Sequence, residues 1–151
     1  MALARIGIGS NMGDAAANVR AAFDALAAAG TVTARSSLYR TKAWGVTDQA
    51  DFYNAAALLE TVLEPHELLR ALKTIERKMG RVETFRWGPR VIDLDILAYA
   101  DIRLDEGDLT IPHAHLHERA FALAPLAEID EAYQPLLEML DGATRSEVVR
   151  L

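Results

Sequence analysis

Hydrophobic and polar residues alternate most sharply between residues 91 and 99. Ile92, Leu94, Ile96 and Ala98 form one apolar row, while Asp93 and Asp95 fall on the other side. A period of two predicts a strand over 91–99 that points both carboxylates the same way, with Cβ atoms about 7 Å apart. Aspartate is among the residues least suited to strands, so two of them alternating in an apolar run call for more than a solvated face. Elsewhere the pattern predicts a buried strand over 3–8 and a helix over 15–29, capped by Asp14, striped by Val19, Ala22, Phe23 and Leu26, and ended by Gly30,. Strands follow over 31–39 and 52–61,. Glu64-Pro65 opens a second helix with Leu68, Leu69, Leu72, Ile75 and Met79 as its stripe and Gly80 as its stop,. Ala100-Asp101 is expected to turn the aspartate strand back into a strand over 102–104, and 109–111 reads as a further short strand ended by Pro112,. Residues 119–129 are helical in pattern, with Pro125 breaking or bending the run, and 146–151 reads as a closing helix,.

Strands and helices thus succeed one another as β-α-β-β-α-β with a mixed tail. Strands joined directly imply antiparallel pairing, so the fold class is α+β: a ferredoxin-like core, a mainly antiparallel sheet covered by helices. At 151 residues, 51% hydrophobic and 25% charged, the chain suits a single domain over 1–151 with its own core,. No repeat or linker interrupts it. The absence of cysteine excludes disulfides, thiolate metal sites and cysteine nucleophiles,. Residues 1–4 are too short for a signal or membrane segment, so a cytoplasmic location is expected; the protein is also expected to be a monomer.

A net charge of −6 argues against a general nucleic-acid binder,. Yet Arg77, Lys78, Arg81, Arg86 and Arg90 crowd the approach to the aspartates, a concentration suited to one small anionic ligand,. Dipole complementation at a helix end accounts for Arg77 and Lys78 but not for the other three. Arg86 and Arg90 bracket a stiff Trp87-Gly88-Pro89 turn, and fixed cations beside paired carboxylates suggest Mg2+-assisted phosphoryl chemistry,. No G-x-x-x-x-G-K-[ST] segment is present to hold a nucleotide,. Residues 7–13 read G-x-G-x-x-x-G, a partial dinucleotide fingerprint without the expected ribose-binding acid, so a structural role is assigned to this loop,. In the loop over 40–50, Trp44 is either a lid over a ligand or a cap on the core. His113, His115 and His117 fit no zinc pattern; a histidine beside Arg119 suits a phosphate oxygen, while His115 and His117 are expected in solvent,.

The run Arg86-Trp87-Gly88-Pro89-Arg90 leading into Asp93-Leu94-Asp95-Ile96 resembles the signature of the 6-hydroxymethyl-7,8-dihydropterin pyrophosphokinase family, which moves diphosphate from ATP to a pterin alcohol. Gly9-Ser10-Asn11, Ser37-Leu38-Tyr39-Arg40-Thr41, Phe52-Tyr53-Asn54-Ala55-Ala56, Ile75-Glu76 before Gly80-Arg81, and Pro112-His113 with Arg119-Ala120-Phe121 recur in family order. The likeness spans almost the whole chain.

The resemblance implies that Asp93 and Asp95 ligate two Mg2+ ions bridging the ATP phosphates, with Asp95 also orienting or deprotonating the hydroxyl. Phe52 and Phe121 would sandwich the pterin, and Asn54, Thr41 and backbone near Trp44 would bond its edges. Arg81 and Arg90 would steady the phosphates during transfer. His113, Arg119, Thr110 and Glu76 would lie on the nucleotide side, and Arg86 and Trp87 on the loop that closes over the site. Glu83, Ala114 and Lys42-Ala43 depart from residues found in some relatives; none of these departures falls on the aspartates or the stacking rings themselves. Two other readings stand beside this one: a non-catalytic pterin- or nucleotide-binding relative, and a dinucleotide-binding oxidoreductase resting on residues 7–13.

Overall fold

In the computed structural model, which describes residues 1–41, 50–81 and 90–151, a long first strand forms the axis of the sheet. Strand β1 (Ala2–Ser10) lies between β4 (Phe52–Thr61) and β5 (Asp93–Tyr99), antiparallel to both. Beyond β4 come β3 (Tyr39–Thr41) and β8 (Val148–Arg150), giving the order β5-β1-β4-β3-β8, while β2 (Thr31–Arg35) also pairs with β4. With α1 (Ala15–Ala25) after β1 and α2 (Pro65–Lys78) before β5, this is the expected ferredoxin-like succession,. Strands β6 (Leu104–Glu106) and β7 (Leu109–Ile111) form a separate hairpin, followed by α3 (Ala120–Ile129), α4 (Gln134–Glu138) and α5 (Gly142–Ser146).

The two sheet faces have different cover. Ile6, Ile8, Ala55, Ala57, Leu59, Leu94 and Ile96 bury one face against Val19, Phe23, Leu26, Leu68, Leu72 and Ile75 of the α1–α2 layer. Each large apolar side chain fully buried there contributes about 1.5–3 kcal/mol. On the opposite face Ala56 and Leu97 meet Leu116, Leu123 and Leu126, so α3 covers only part of the sheet. Arg5 ties β1 to the end of α3: its Nε donates to Asp130 at 3.1 Å, and its guanidinium lies 5.9 Å from the Tyr133 ring centroid.

Local chemistry explains the boundaries. Asp14 caps α1, accepting from the Ala17 N–H at 3.1 Å, and the helix tightens into a 3-10 turn over Leu26–Ala28 before Gly30. Glu64 and Glu67 form a capping box around Pro65 at the start of α2, and Gly80, at φ +94°, lets the chain leave it,. The strand expected over 31–39 is broken: the Ser36 hydroxyl accepts the Ala56 N–H at 2.8 Å, putting a side chain where the ladder would use a carbonyl,. Residues 102–104 do not return along β5; the strand begins at Leu104 and pairs with β7 around Gly107, at φ +56°. Helix α3 continues through Pro125, which is buried with Leu123, Leu126 and Ala127. The tail also departs from expectation, since 148–150 is strand rather than helix. Two β-branched valines there pair with β3,.

Gly30 supplies a test of this packing. A Cβ at Gly30 would lie 2.2 Å from the Glu60 carbonyl oxygen, which is backbone and cannot rotate aside, whereas one at Gly142 meets nothing within 4 Å. Gly30→Ala is therefore expected to cost roughly 2 kcal/mol or more in urea unfolding, and Gly142→Ala less than about 0.5 kcal/mol.

Candidate functional site

Where α3 leaves the sheet uncovered, a cleft of about 850 Å3 opens over the middle strands. Its floor is built in rows by strand register: Asn54 of β4, Gly9 of β1 and Asp93 of β5 lie side by side, and Ala56, Gly7 and Asp95 make the next row. Phe52, Thr41, Arg90, His113, Arg119 and Phe121 line it as well. One cleft thus gathers nine of the residues singled out above: Asp93, Asp95, Arg90, His113, Arg119, Thr41, Phe52, Asn54 and Phe121.

The alternation predicted for β5 holds from Ile92 to Ile96: Ile92, Leu94 and Ile96 are buried against the core while Asp93 and Asp95 open toward the cleft, each only half-buried. Beyond Ile96 the register shifts opposite Arg5 and Ile6, so Tyr99 rather than Ala98 joins that core. Arg81 Nη1 donates to Asp93 Oδ1 at 2.9 Å, and Arg90 Nη1 approaches the same oxygen at 3.3 Å. Burial, then the negative charges of Asp93 and Glu76, push the Asp95 carboxyl up to about 8,. Two carboxylates held together at this cost want a cation. Among the described residues no cluster of three or more His, Cys, Asp or Glu forms a closed metal cage. The donor set fits Mg2+, which is commonly held by one or two carboxylates and completes its shell with phosphate oxygens and water.

Glu76 and Arg81 stand behind the floor rather than in it, and neither lines the cleft. Glu76, 2% exposed, accepts the Leu94 N–H at 2.7 Å and pairs with Arg81 at 2.8 Å. Burial raises its pKa, against the opposing pull of the Leu94 N–H, Arg81 and Lys73. Arg81 thereby links a buried glutamate on α2 to Asp93. Thr110 is not brought to the cleft: it lies on the β6–β7 hairpin, where its hydroxyl donates to Asp105 at 3.4 Å. Trp44, Arg86 and Trp87, with Glu83 and Lys42-Ala43, fall outside the described residues.

The rim has a cationic and an aromatic side. Arg119 precedes α3 with its guanidinium 5.5 Å from the Phe121 ring centroid; burial lowers its pKa against the pull of Asp95 and Asp93. His113 is fixed by its own N–H, which donates to the Leu97 carbonyl at 2.9 Å. Burial, then the charge of Arg119, lowers its pKa and keeps the imidazole neutral at pH 7,. Across the cleft, Thr41 and Phe52 are register partners, and the buried Asn54 Nδ2 has no hydrogen-bond partner among the described residues. An orphaned buried donor beside two aromatic rings suits a flat ligand carrying an acceptor. His115 and His117 lie outside, exposed and near Glu118.

Sequence reasoning missed three residues here. Gly7 and Gly9 belong to β1, not to a loop, and leave the floor open; glycines two apart inside a strand are a signal of close approach by a ligand,. Asn11 is part of the Gly9-Ser10-Asn11 run but carries no role in the sequence reading, yet its side chain accepts the Arg90 N–H at 2.8 Å and donates to the Ala50 carbonyl at 3.1 Å. No local pattern announces such a long-range contact.

Asp95 yields a stability test. A carboxyl whose folded value lies above its unfolded one stabilises only below the ordinary 3.8; the fold loses that contribution as pH rises through about 8,. In metal-chelating buffer, Asp95→Asn should match the unchanged protein in unfolding midpoint near pH 4 and exceed it near pH 9. An equal or lower midpoint near pH 9 contradicts the strained pair.

The family model described as 7,8-dihydro-6-hydroxymethylpterin-pyrophosphokinase (HPPK) matches residues 5–131. The 2-amino-4-hydroxy-6-hydroxymethyldihydropteridine pyrophosphokinase of Methylorubrum extorquens is 50% identical over 131 residues, covering 85% of this chain and 83% of its own. The Bacillus subtilis protein of the same name is 42% identical over 151 residues, covering 99% and 89%. A crystal structure of Plasmodium falciparum HPPK-DHPS with pterin and p-hydrobenzoate superposes with a TM-score of 0.73 at 16% identity, covering 99% of this chain and 47% of that one, a likeness of fold. A six-stranded antiparallel sheet, a carboxylate pair on its outer strand and a sequence shared this extensively lead to one conclusion: the chain belongs to the 7,8-dihydro-6-hydroxymethylpterin-pyrophosphokinase family.

Proposed function

We propose that this protein is an ATP-dependent 2-amino-4-hydroxy-6-hydroxymethyldihydropteridine diphosphokinase of folate biosynthesis, transferring diphosphate from ATP to the hydroxymethyl group of 6-hydroxymethyl-7,8-dihydropterin and releasing AMP. The observation that carries the reading is the shared floor: Asp93 and Asp95 lie across β1 from Asn54 and Phe52, with Phe121 on the same cleft. Few chemistries need a flat-ring slot and a paired carboxylate that close together.

In this reading Phe52 and Phe121 stack on the two faces of the pterin, and Asn54 and Thr41 bond its edge, giving the Asn54 amide the partner it lacks,. The substrate oxygen then faces the carboxylates. Asp93 and Asp95 would hold two Mg2+ ions, which would supply charge neutralisation and alignment of the phosphates. Arg90, Arg119 and neutral His113 take the remaining phosphate oxygens, while Arg81, set by Glu76, holds Asp93 and steadies the phosphates from behind. The hydroxymethyl oxygen attacks the β-phosphorus in line, the bond to the α-phosphate oxygen breaks, and AMP departs. Asp95, ionised once it holds the cation, would orient the hydroxyl and receive its proton. Trp44, Arg86 and Trp87 keep the roles the family resemblance gives them, and Thr110 is left without one at the cleft. The reading includes a single domain acting as a monomer in the cytoplasm.

An AMP-release assay tests the activity. Release should require ATP, Mg2+ and hydroxymethyl-dihydropterin together, and Asp95→Ala should lower turnover by about a hundredfold or more with the fold retained by circular dichroism. Phe121→Ala should weaken pterin binding about tenfold and leave nucleotide binding within about twofold. Pterin binding without AMP release would mark a non-catalytic relative, and an active Asp95→Ala variant would refute the metal assignment.

A further inference from the structure

The mechanism above leaves a partly buried carboxylate in the middle of the α3 layer unused. Glu128 lies on α3 with 20% of its side chain exposed. Both its oxygens accept from the Ser37 N–H at 3.0 Å; Oε2 also accepts from the Ser37 hydroxyl at 3.1 Å, and Oε1 from the Tyr39 hydroxyl at 2.8 Å. Arg150 of β8 approaches at 3.6 Å. Three segments distant in sequence therefore meet on one side chain.

Their positions relate to the ring slot. Tyr39 is the register partner of Asn54, and Thr41, two residues on, is the partner of Phe52. Antiparallel partners share a face, so the Tyr39 ring stands beside Asn54 on the side of the sheet that α3 covers. Tyr39 is 7% exposed, filling the space between strand and helix. On α3, Phe121 precedes Glu128 by seven residues, two helical turns, and so lies on the same side of the helix about 10 Å along it,. Tyr39 and Glu128 thus span the gap between the layer that carries Phe52 and the helix that carries Phe121.

We infer that Tyr39 and Glu128 are positioning residues that set the width of the acceptor slot; this rests on the pterin reading above. A flat ring held on both faces needs the two phenyl planes about 7 Å apart, two carbon contacts of about 3.5 Å. A gap of even 0.5–1 Å forfeits a quarter to a half of that attraction, so the spacing must be held by something stiffer than apolar packing. A tyrosine ring ending in a charge-assisted hydrogen bond has the necessary length and few rotatable bonds. The protonation states agree. Burial raises Glu128, but hydrogen bonds from Tyr39 and Ser37 outweigh it and hold the carboxyl below its ordinary value. Burial and then Glu128 push Tyr39 up to about 12. The pair stays ionised on one side and protonated on the other across physiological pH.

The experiment compares acceptor and nucleotide binding in the full-length chain, at a temperature where every variant is folded by circular dichroism. Hydroxymethyl-dihydropterin is titrated in the presence of a non-hydrolysable ATP analogue and Mg2+, and the analogue with Mg2+ is titrated alone. Glu128→Ala and Tyr39→Phe should each weaken the pterin about tenfold and leave the analogue within about twofold. Glu128→Gln, which keeps the length and one acceptor for the hydroxyl, should recover most of the loss. The double variant should be no worse than the poorer single one, because the strut is broken once. Arg5→Ala breaks the Asp130 bridge at the far end of α3 and serves as the control; it should lower the unfolding midpoint without moving the pterin affinity. Pterin affinity unchanged in Glu128→Ala, additive losses in the double variant, or an equal loss in Arg5→Ala would each overturn the strut. Failure of the unmodified protein to bind the pterin at all would instead overturn the reading of the site, and the strut with it.

Discussion

Two like charges forced onto one side of an edge strand are the constraint around which the structure is arranged. The strand pleat fixes Asp93 and Asp95 on a common face, and the cost of that placement appears in the carboxyl of Asp95, raised to about 8. The neighbourhood offsets the cost unevenly. Asp93 receives Arg81 and Arg90, and Arg81 is itself held by a glutamate under the strand. Asp95 carries the larger penalty and so has most to gain from a divalent cation brought in with the nucleotide. An electrostatically satisfied pair would be a more stable protein and a poorer metal site.

The sheet separates this demand from the task of folding. The face toward α1 and α2 is apolar in its middle rows, with Thr61 and Ser10 at the two ends, and it is there that the alternating pattern of β1, β4 and β5 goes into burial. The other face is covered by α3 only as far as Leu97, Leu116, Leu123 and Leu126 reach. The remainder is floored by Gly7 and Gly9, so a ligand can lie close to the backbone between the aromatic and acidic strands. A strand offers this arrangement cheaply, because neighbouring rows on adjacent strands are fixed by the ladder and not by side-chain packing.

Most of that frame was legible in the chain. Periodicity located the long strands and both larger helices, since each buries a full face and so writes its period into the sequence. Short elements were less readable. Val148–Arg150 reads as well for a helix end as for a strand, and what decides it is the unpaired edge of β3, a partner about a hundred residues away. The break after Arg35 depends on one serine hydroxyl replacing a carbonyl in the ladder. At the site, the acids and aromatics stood out because each is costly where it sits. Thr110 did not follow, because a residue three positions from His113 on a hairpin can face away from the cleft that His113 lines. The residues that hold others in place left no local trace of that role, which for Asn11 and Glu128 shows only in their partners.

Those two silent residues act on the cleft from opposite sides. Asn11 fixes both backbone groups of Arg90, its side-chain oxygen accepting the N–H and its own backbone N–H donating to the carbonyl at 3.0 Å, and its side-chain Nδ2 donates to the Ala50 carbonyl. It thereby joins the start of the acidic strand to the entry of the aromatic one within the plane of the sheet. Glu128 works across that plane, between sheet and helix. In-line transfer requires both coordinates, because a ring correctly spaced but shifted along the sheet would carry its hydroxyl past the phosphorus, and a misplacement of about 1 Å can cost a hundredfold in rate. The fold meets this with buried polar groups whose hydrogen bonds have direction, something apolar packing lacks.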